Sequence, residues 1–347
     1  MTVLLLHIDG KLPNLALMRL AAYYRTVGHV IHRRVDNPHR LDQILDDVPL
    51  CDIIYGSLIF ERSRPLAERI KERWPAVILG GTGWSLTETL DSISPGLSIG
   101  PLDYTDYPMW QQSIGFTQRG CRLRCPFCVV PRKEGAVREE QTITEIWRGS
   151  PWPREIILLD NDFFGQPHWQ QRISEIQQGR FKVNFNQGIN ARMLDDETAA
   201  ALASVDYRNA KMTDRRLYTA WDNRKDEIRL FRGLEALVRH GVNPRHIMVY
   251  LLVGYWTNET HADRDYRRQQ IRAFGAIPYP MPFVRTKELV GFQRWVIGAY
   301  DKRISWGAWE AADYQPRKLQ LYPERHSAVA AGGDSEGYAM TTESLKA

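Results

Sequence analysis

Short apolar runs alternate with amphipathic stretches along most of the chain. Val3–Ile8 reads as a strand. From Pro13 to Val27, apolar Leu15, Leu17, Met18, Leu20, Ala21 and Ala22 recur at helical spacing, and Gly28 supplies a stop. His29–Val35, Asp52–Leu58 and Ala76–Leu79 read as further strands, with a helix near Arg64–Trp74. This alternation predicts an open, mainly parallel α/β sheet over residues 1–100. Gly80-Gly81-Thr82-Gly83 follows a strand end, where such sheets bind ligands. It lacks both the G-x-G-x-x-G spacing and the Lys-Ser/Thr of a phosphate loop, so backbone geometry is the favoured account of its glycines, with a ligand contact as the alternative.

Residues 101–112 hold two prolines, Asp103, Asp106 and two tyrosines, a composition that suits a linker. A second alternating series follows over 113–285. Its strands are predicted at Ser113–Gln118, Glu155–Asp160, Phe181–Asn186, Arg216–Trp221, Ile247–Val253 and Ile277–Phe283. Helical patterns lie between most of them, at Ile143–Trp147, Trp169–Gln178, Asp196–Ser204, Lys225–His240 and His261–Phe274. One βα unit fits each interval, and six units make a partial (β/α)6 barrel of the TIM type, short of the eight of a closed one. Residues 286–326 form a C-terminal extension with one helix expected over Thr286–Tyr300, and 327–347, small and polar, are expected to be disordered.

Composition narrows the class. At 347 residues the chain has room for about two domains. Hydrophobic residues are 43% and charged residues 25%, which excludes global disorder and fibrous classes. The net charge of +5 does not by itself indicate a nucleic-acid binder. No apolar run approaches the roughly 20 residues of a membrane span, and Val3–Leu6 is short and follows no basic segment. A cytoplasmic protein with no membrane partner is expected.

Four cysteines are too few for a disulfide scaffold, and three of them, Cys121, Cys125 and Cys128, fall in one Cys-x3-Cys-x2-Cys segment. Three thiolates on one loop can hold three irons of a [4Fe–4S] cube, leaving the fourth iron open. A zinc site is the alternative, although such sites usually have four protein ligands. Cys51 and His168 are the conceivable fourth ligands, and three unrelated cysteines is the blandest reading.

With Phe127 before the third cysteine, Cys-x3-Cys-x-Phe-Cys resembles the signature of the radical S-adenosylmethionine (SAM) superfamily. The motif follows a predicted first barrel strand, and five further βα units come after it, as in that family. The resemblance covers roughly 113–283. Residues 1–100 resemble the cobalamin-binding, Rossmann-like domain that precedes this barrel in one large branch. The resemblance implies a [4Fe–4S] cluster on Cys121, Cys125 and Cys128 that binds SAM and cleaves it reductively to a 5′-deoxyadenosyl radical. It also implies a set of SAM contacts: Phe127 near the adenine; Asp160, Asn161 and Asp162 as acceptors for the ammonium, in place of a Gly-Gly-Glu-like motif; and Gln187 at the third strand end. Arg192 would pair with the SAM carboxylate, Asp222 would take the ribose hydroxyls, and Gly254 would let the adenine approach the backbone. For Asp162 a helix N-cap is the competing role. For Arg192 it is a surface position on a helix.

The resemblance names no substrate and no catalytic residue beyond these. A cobalamin-dependent radical SAM methyltransferase is an alternative. However, no Asp-x-His-x-x-Gly motif surrounds His7, His29, His32 or His39, so cobalamin is possible but not favoured. Arg119, Arg122, Arg124, Arg132 and Lys133 crowd the cysteine segment. They suit either a solvated face or the docking of an acidic one-electron donor such as flavodoxin or ferredoxin. A non-catalytic metal-containing RNA-binding module is the competing class, drawing on 11 Trp, 15 Tyr and 11 Phe as stacking surfaces.

Overall fold

A computed structural model describes residues 1–35, 43, 46 and 48–316. The first sheet is built from β1 (Thr2–His7), β2 (His29–Arg34), β3 (Ile53–Ser57) and β4 (Ile78–Gly80), in the order β2-β1-β3-β4 with every pair parallel. Parallel strands are covered on both faces, and β1 shows how. Val3 and Leu5 pack with Leu17, Leu20 and Ala21 of α1 (Leu15–Tyr24), while Leu4 and Leu6 pack with Ala67 and Ile70 of α2 (Arg64–Arg73). Asn14 starts α1 by accepting the Leu17 N–H at 3.2 Å.

Residues 101–112 carry no helix or strand but are strapped to the first sheet. Arg25 pairs with Asp103 and Asp106, each at 2.5 Å, and the Tyr107 hydroxyl accepts the Asn14 N–H at 3.1 Å.

The second series comprises β5 (Ser113–Gly115), β6 (Gln118–Arg119), α3 (Val130–Lys133), β7 (Arg138–Glu139), α4 (Ile143–Ile146), β8 (Glu155–Leu158), α5 (Trp169–Gln178), β9 (Lys182–Phe185), α6 (Asp196–Ala203), β10 (Asp206–Tyr207), β11 (Leu217–Ala220), α7 (Glu227–Arg239), β12 (Ile247–Val253), α8 (His261–Phe274) and β13 (Ile277–Pro282). It forms two parallel sheets, β10-β9-β8-β5 and β11-β12-β13, and a two-stranded antiparallel ribbon of β6 and β7. Beyond β9 the chain reaches β11, where the Ile189 N–H donates to the Tyr218 carbonyl at 2.7 Å. Ile156 and Leu158 of β8, Val183 of β9 and Val249 and Leu251 of β12 pack with Ile173, Leu202, Leu234 and Ile271 of the helices. On the opposite face, Ile114 and Ile157 meet Leu12, Leu15, Tyr104 and Trp110, so the first sheet's leading loop and the linker cover that side. Tyr218, Tyr250 and Met281 form a third cluster, with the Tyr218 and Tyr250 rings stacked 5.8 Å apart.

The molecule is thus an α/β protein of parallel sheets. The strand expected over Ser113–Gln118 is split between β5 and β6, because the Thr117 and Gln118 N–H groups bond to the Asp160 carboxylate instead of a strand partner. The C-terminal extension holds α9 (Lys287–Ile297) and α10 (Trp306–Ala311), shorter than the helix expected over Thr286–Tyr300 and with a second helix added. It is tied back by the fully buried Asp301 side chain, which pairs with Arg268 at 2.8 Å and Arg272 at 3.1 Å. The end of that extension (317–326) and the tail expected to be disordered (327–347) lie outside the described residues. Among the described residues no helix is long and apolar enough to cross a membrane.

Candidate functional site

The loop between β6 and α3 carries the three clustered thiols. Gly120 enters it at φ +79°, and a Cβ there would stand 2.2 Å from the Ala136 carbonyl oxygen, so only glycine fits. Cys121, Cys125 and Cys128 are all free and half-buried, and the Cys128 N–H donates to the Cys125 carbonyl at 3.0 Å. All three line two cavities at once. The outer one, about 570 Å³, adds Arg122, Arg124, Pro126, Pro131 and Arg132. The inner one, about 150 Å³, adds Phe127, Asn161, Gln187, Arg192 and Asp222, over apolar Tyr250, Leu252 and Met281.

Burial pushes the Cys121 thiol up to about 11 and raises Cys125 and Cys128 as well, and Cys121 and Cys128 are raised further by neighbouring thiols. In this setting the sulfurs hold their protons at neutral pH, and a bound cation is what would displace them. Among the described residues no group of three or more His, Cys, Asp or Glu side chains stands ready to hold a single metal ion.

The loop is clamped from the end of β8. Asp160 is buried and its carboxylate accepts the Thr117 N–H at 2.7 Å, the Gln118 N–H at 3.3 Å and the Thr117 hydroxyl. Gln118 returns the contact: its Oε1 accepts the Asp162 N–H at 3.0 Å, while its amide donates to the Arg119 and Gly120 carbonyls. Asp162 accepts the Arg122 N–H at 3.1 Å and the Arg122 guanidinium at 2.8 and 3.0 Å. Gln166 donates to the Thr117 hydroxyl at 3.0 Å. Despite its three donors, burial carries the Asp160 carboxyl up to about 7.

The inner cavity gathers residues from successive strand ends: Asn161 after β8, Gln187 after β9 and Asp222 after β11. Burial raises the Asp222 carboxyl to about 6, against the pull of Arg192 and Arg267. Arg192 is no free surface residue. It pairs with Asp226 at 2.8 Å and donates to the Asn190 side chain at 3.2 Å, and its charge pulls the Cys125 thiol downward against burial. The Phe127 ring stands edge-on to Tyr255, with centroids 5.3 Å apart.

Of the residues singled out in the sequence, the structure brings Phe127, Asn161, Gln187, Arg192 and Asp222 together with the three cysteines, and leaves others outside the cavity lining. Asp160 and Asp162 turn to the cysteine loop, and Asp162 makes no side-chain cap although it precedes a short 3-10 helix. Gly254, at φ +78°, gives its N–H to Glu259 at 2.6 Å, and a Cβ there would meet the Leu289 side chain at 2.3 Å. Cys51 lies beside the first sheet's core, and His168 is exposed and faces Glu139 at 2.9 Å. Gly81 and Gly83 press on the backbones of Leu58 and Phe60. Of the basic residues, Arg119 is held by Glu134 at 2.6 Å, Lys133 by Thr82 and Arg122 by Asp162 at 2.8 Å, whereas Arg124 and Arg132 are exposed beside the outer cavity.

Asn190, Thr219, Tyr250 and Met281 also line the inner cavity and were not foreseen. The alternation of Tyr250 and Leu252 along β12 was the available signal. No family model matches the chain, and no curated protein matches it.

Proposed function

We propose that the chain is a radical SAM enzyme. The observation that carries this reading is the meeting of three thiols, on a Cys-x3-Cys-x-Phe-Cys loop, with polar side chains from three successive strand ends around one cavity. The donor set fits an iron–sulfur cluster: the outer cavity is lined by three sulfurs and by no carboxylate or imidazole. Cys121, Cys125 and Cys128 would hold the cluster, which supplies the electron that breaks a sulfonium bond of bound SAM. Around it, Asn161 and Gln187 offer amide acceptors, Asp222 a carboxylate and Arg192 a cation. Phe127, Tyr250, Leu252 and Met281 make an apolar wall that excludes water from reactive species.

In this reading the six strands β5, β8, β9, β11, β12 and β13 are the partial barrel, supported by their parallel order and the β9–β11 contact at Ile189. The first sheet is the Rossmann-like domain, and cobalamin is left out of the proposal. The exposed Arg124 and Arg132 suit the approach of an acidic one-electron donor of the flavodoxin or ferredoxin kind. A reducing, cytoplasmic setting goes with four free thiols. The RNA-module reading is weakened, since Trp221, Trp309, Tyr207 and Phe292 are fully buried core and unavailable for stacking.

The test is anaerobic reconstitution with iron and sulfide, followed by SAM addition. The expected outcome is four irons and four sulfides per chain, a cluster spectrum perturbed by SAM, and 5′-deoxyadenosine formed on reduction with dithionite. Cluster-replete, reduced protein that neither binds nor cleaves SAM would overturn the reading. Protein that takes up zinc and no iron would return it to a metal-containing binding module.

A further inference from the structure

The segment Asp160-Asn161-Asp162 alternates. Asn161 lines the inner cavity, while the carboxylates on either side turn the other way, onto the loop that carries the thiols. We propose that Asp160 and Asp162 are positioning residues that hold the cysteine loop in its metal-binding shape, and that neither serves as an acceptor for the small-molecule ligand.

The geometry carries this in three steps. First, both carboxylates are fully engaged. Asp160 takes two backbone N–H groups and a hydroxyl from Thr117 and Gln118, and Asp162 takes the backbone and guanidinium of Arg122. A ligand ammonium would have to displace these donors. Second, the bonds fall on both sides of Cys121, at residues 117, 118 and 122. They therefore fix the direction in which the chain enters the three-thiol segment, and replace the strand ladder that this stretch leaves. Third, the clamp is reciprocal. Gln118 accepts from the Asp162 N–H and donates to the Arg119 and Gly120 carbonyls, so the two strand-end loops hold each other. Reciprocal bonds of this kind favour one conformation, and removing one acceptor leaves buried donors unpaired.

The proposal rests on the loop being a metal-binding loop, but its test does not require the metal. In the metal-free protein, reaction of each cysteine with iodoacetamide is followed by peptide mass spectrometry. Asp160→Ala is expected to speed labelling of Cys121, Cys125 and Cys128 about ten- to a hundredfold. Cys51, beside the other sheet's core, should keep its rate. Asp160→Asn retains an oxygen for the two backbone N–H groups and should restore slow labelling, a rescue that loss of bulk alone would not give. Asp162→Asn, which keeps an acceptor but loses the ion pair, should fall between the two.

Unchanged labelling in Asp160→Ala would overturn the proposal. Should that variant label fast at Cys51 as well, and so be globally unfolded, Gln118→Met opens the same clamp from its other side and must show the same selective acceleration. Failure there would overturn the proposal equally. Selective acceleration in a protein that takes up only zinc would uphold the positioning role while ending the radical SAM reading. A cluster-binding, SAM-cleaving protein with unaltered labelling would do the reverse.

Discussion

The two series of parallel strands finish differently. At the ends of β1 and β3, most polar groups are used up on one another, although His7 Nε2 is buried without a partner. Asp9 accepts the Ile59 and Phe60 N–H groups at 2.7 and 2.9 Å, and Asn14 donates to the Ser57 hydroxyl at 2.9 Å. The Tyr107 hydroxyl stands 3.2 Å from His7 Nδ1 and 3.3 Å from His32 Nε2. Burial drives His7 down to about 3, so its imidazole is neutral at physiological pH and needs no counter-ion. At the ends of β8, β9 and β11, by contrast, Asn161, Gln187 and Asp222 converge on a cavity, and one of them is a carboxyl kept out of water. Shared topology therefore says little about where chemistry happens. A strand end whose polar groups satisfy each other contributes stability. One that leaves them facing a cavity gives stability up, and perturbed carboxyls of this kind gather at functional sites.

The largest break in the comparison is removal of the thiols. On the proposed reading, replacing Cys121, Cys125 and Cys128 together with Ala should abolish iron and sulfide binding completely. The first sheet should survive, because its two apolar clusters include no residue of that loop. Chemical iron analysis and circular dichroism check the two halves of the statement, and iron retained at the parent level would refute it.

The next effect is one of sign. The Asp222 carboxyl is raised in the folded protein from 3.8 to about 6. Below about pH 4 the folded and unfolded states bind the same proton, and no cost arises. As pH rises, the unfolded state ionises first, and stability falls until the folded carboxyl has ionised too, above about pH 6. Two pH units correspond to about 3 kcal/mol. Asp222→Asn should thus be the more stable protein at pH 8, by about 2–3 kcal/mol, with the advantage fading towards pH 4. Urea titrations at the two pH values decide it, and an equal difference at both would remove the idea that the open strand end carries a charge penalty.

Gly254 separates strand-end residues that serve the fold from those that serve the cavity. Its positive φ and the nearby Leu289 side chain mean that Gly254→Ala should lose about 1–3 kcal/mol. SAM affinity of the folded fraction should be unchanged, because the residue does not line the cavity. A variant of parental stability with weakened SAM binding would restore the direct adenine contact that the sequence suggested.

These contrasts also mark what could be read from the chain. The helix Trp169–Gln178 and the strand Ile247–Val253 coincide with expectation to the residue, because their apolar spacing reports burial that they actually have; His261–Phe274 coincides too, although three of its four buried residues are arginines. The cysteine loop, too, was visible as a spacing. What escaped depended on partners distant in sequence. Thr117 and Gln118 look like strand, yet their N–H groups go to Asp160, and nothing local announces it. The same contact hid the roles of Asp160 and Asp162, whose position after a strand suits a ligand acceptor equally well. Tyr250 and Leu252 share one face of a strand by their alternation, but only the assembled sheet shows that this face is the cavity wall. The ribbon of β6 and β7 pairs two residues with two, too short for any periodicity to show.

The smallest expected effect tests the closed strand end, and its sign is opposite to that of Asp222→Asn. Asn14 does two things there: its Oδ1 caps α1 by accepting the Leu17 N–H, and its Nδ2 donates to the Ser57 hydroxyl in a buried setting. Asn14→Ala removes the cap, a loss of about 1 kcal/mol, and leaves the hydroxyl without that donor. A neutral hydroxyl that loses one donor costs far less than a bared charge, and a total of about 1–2 kcal/mol is expected. Neither Asn14 nor Ser57 lines the cavities at the thiols, so iron uptake and SAM binding by the variant should match the parent. Denaturant unfolding combined with iron analysis gives both numbers from one preparation. A variant that keeps its stability would mean that the closed end is not held by these bonds. One that keeps its stability and loses SAM binding would mean that the first sheet takes part in the site after all.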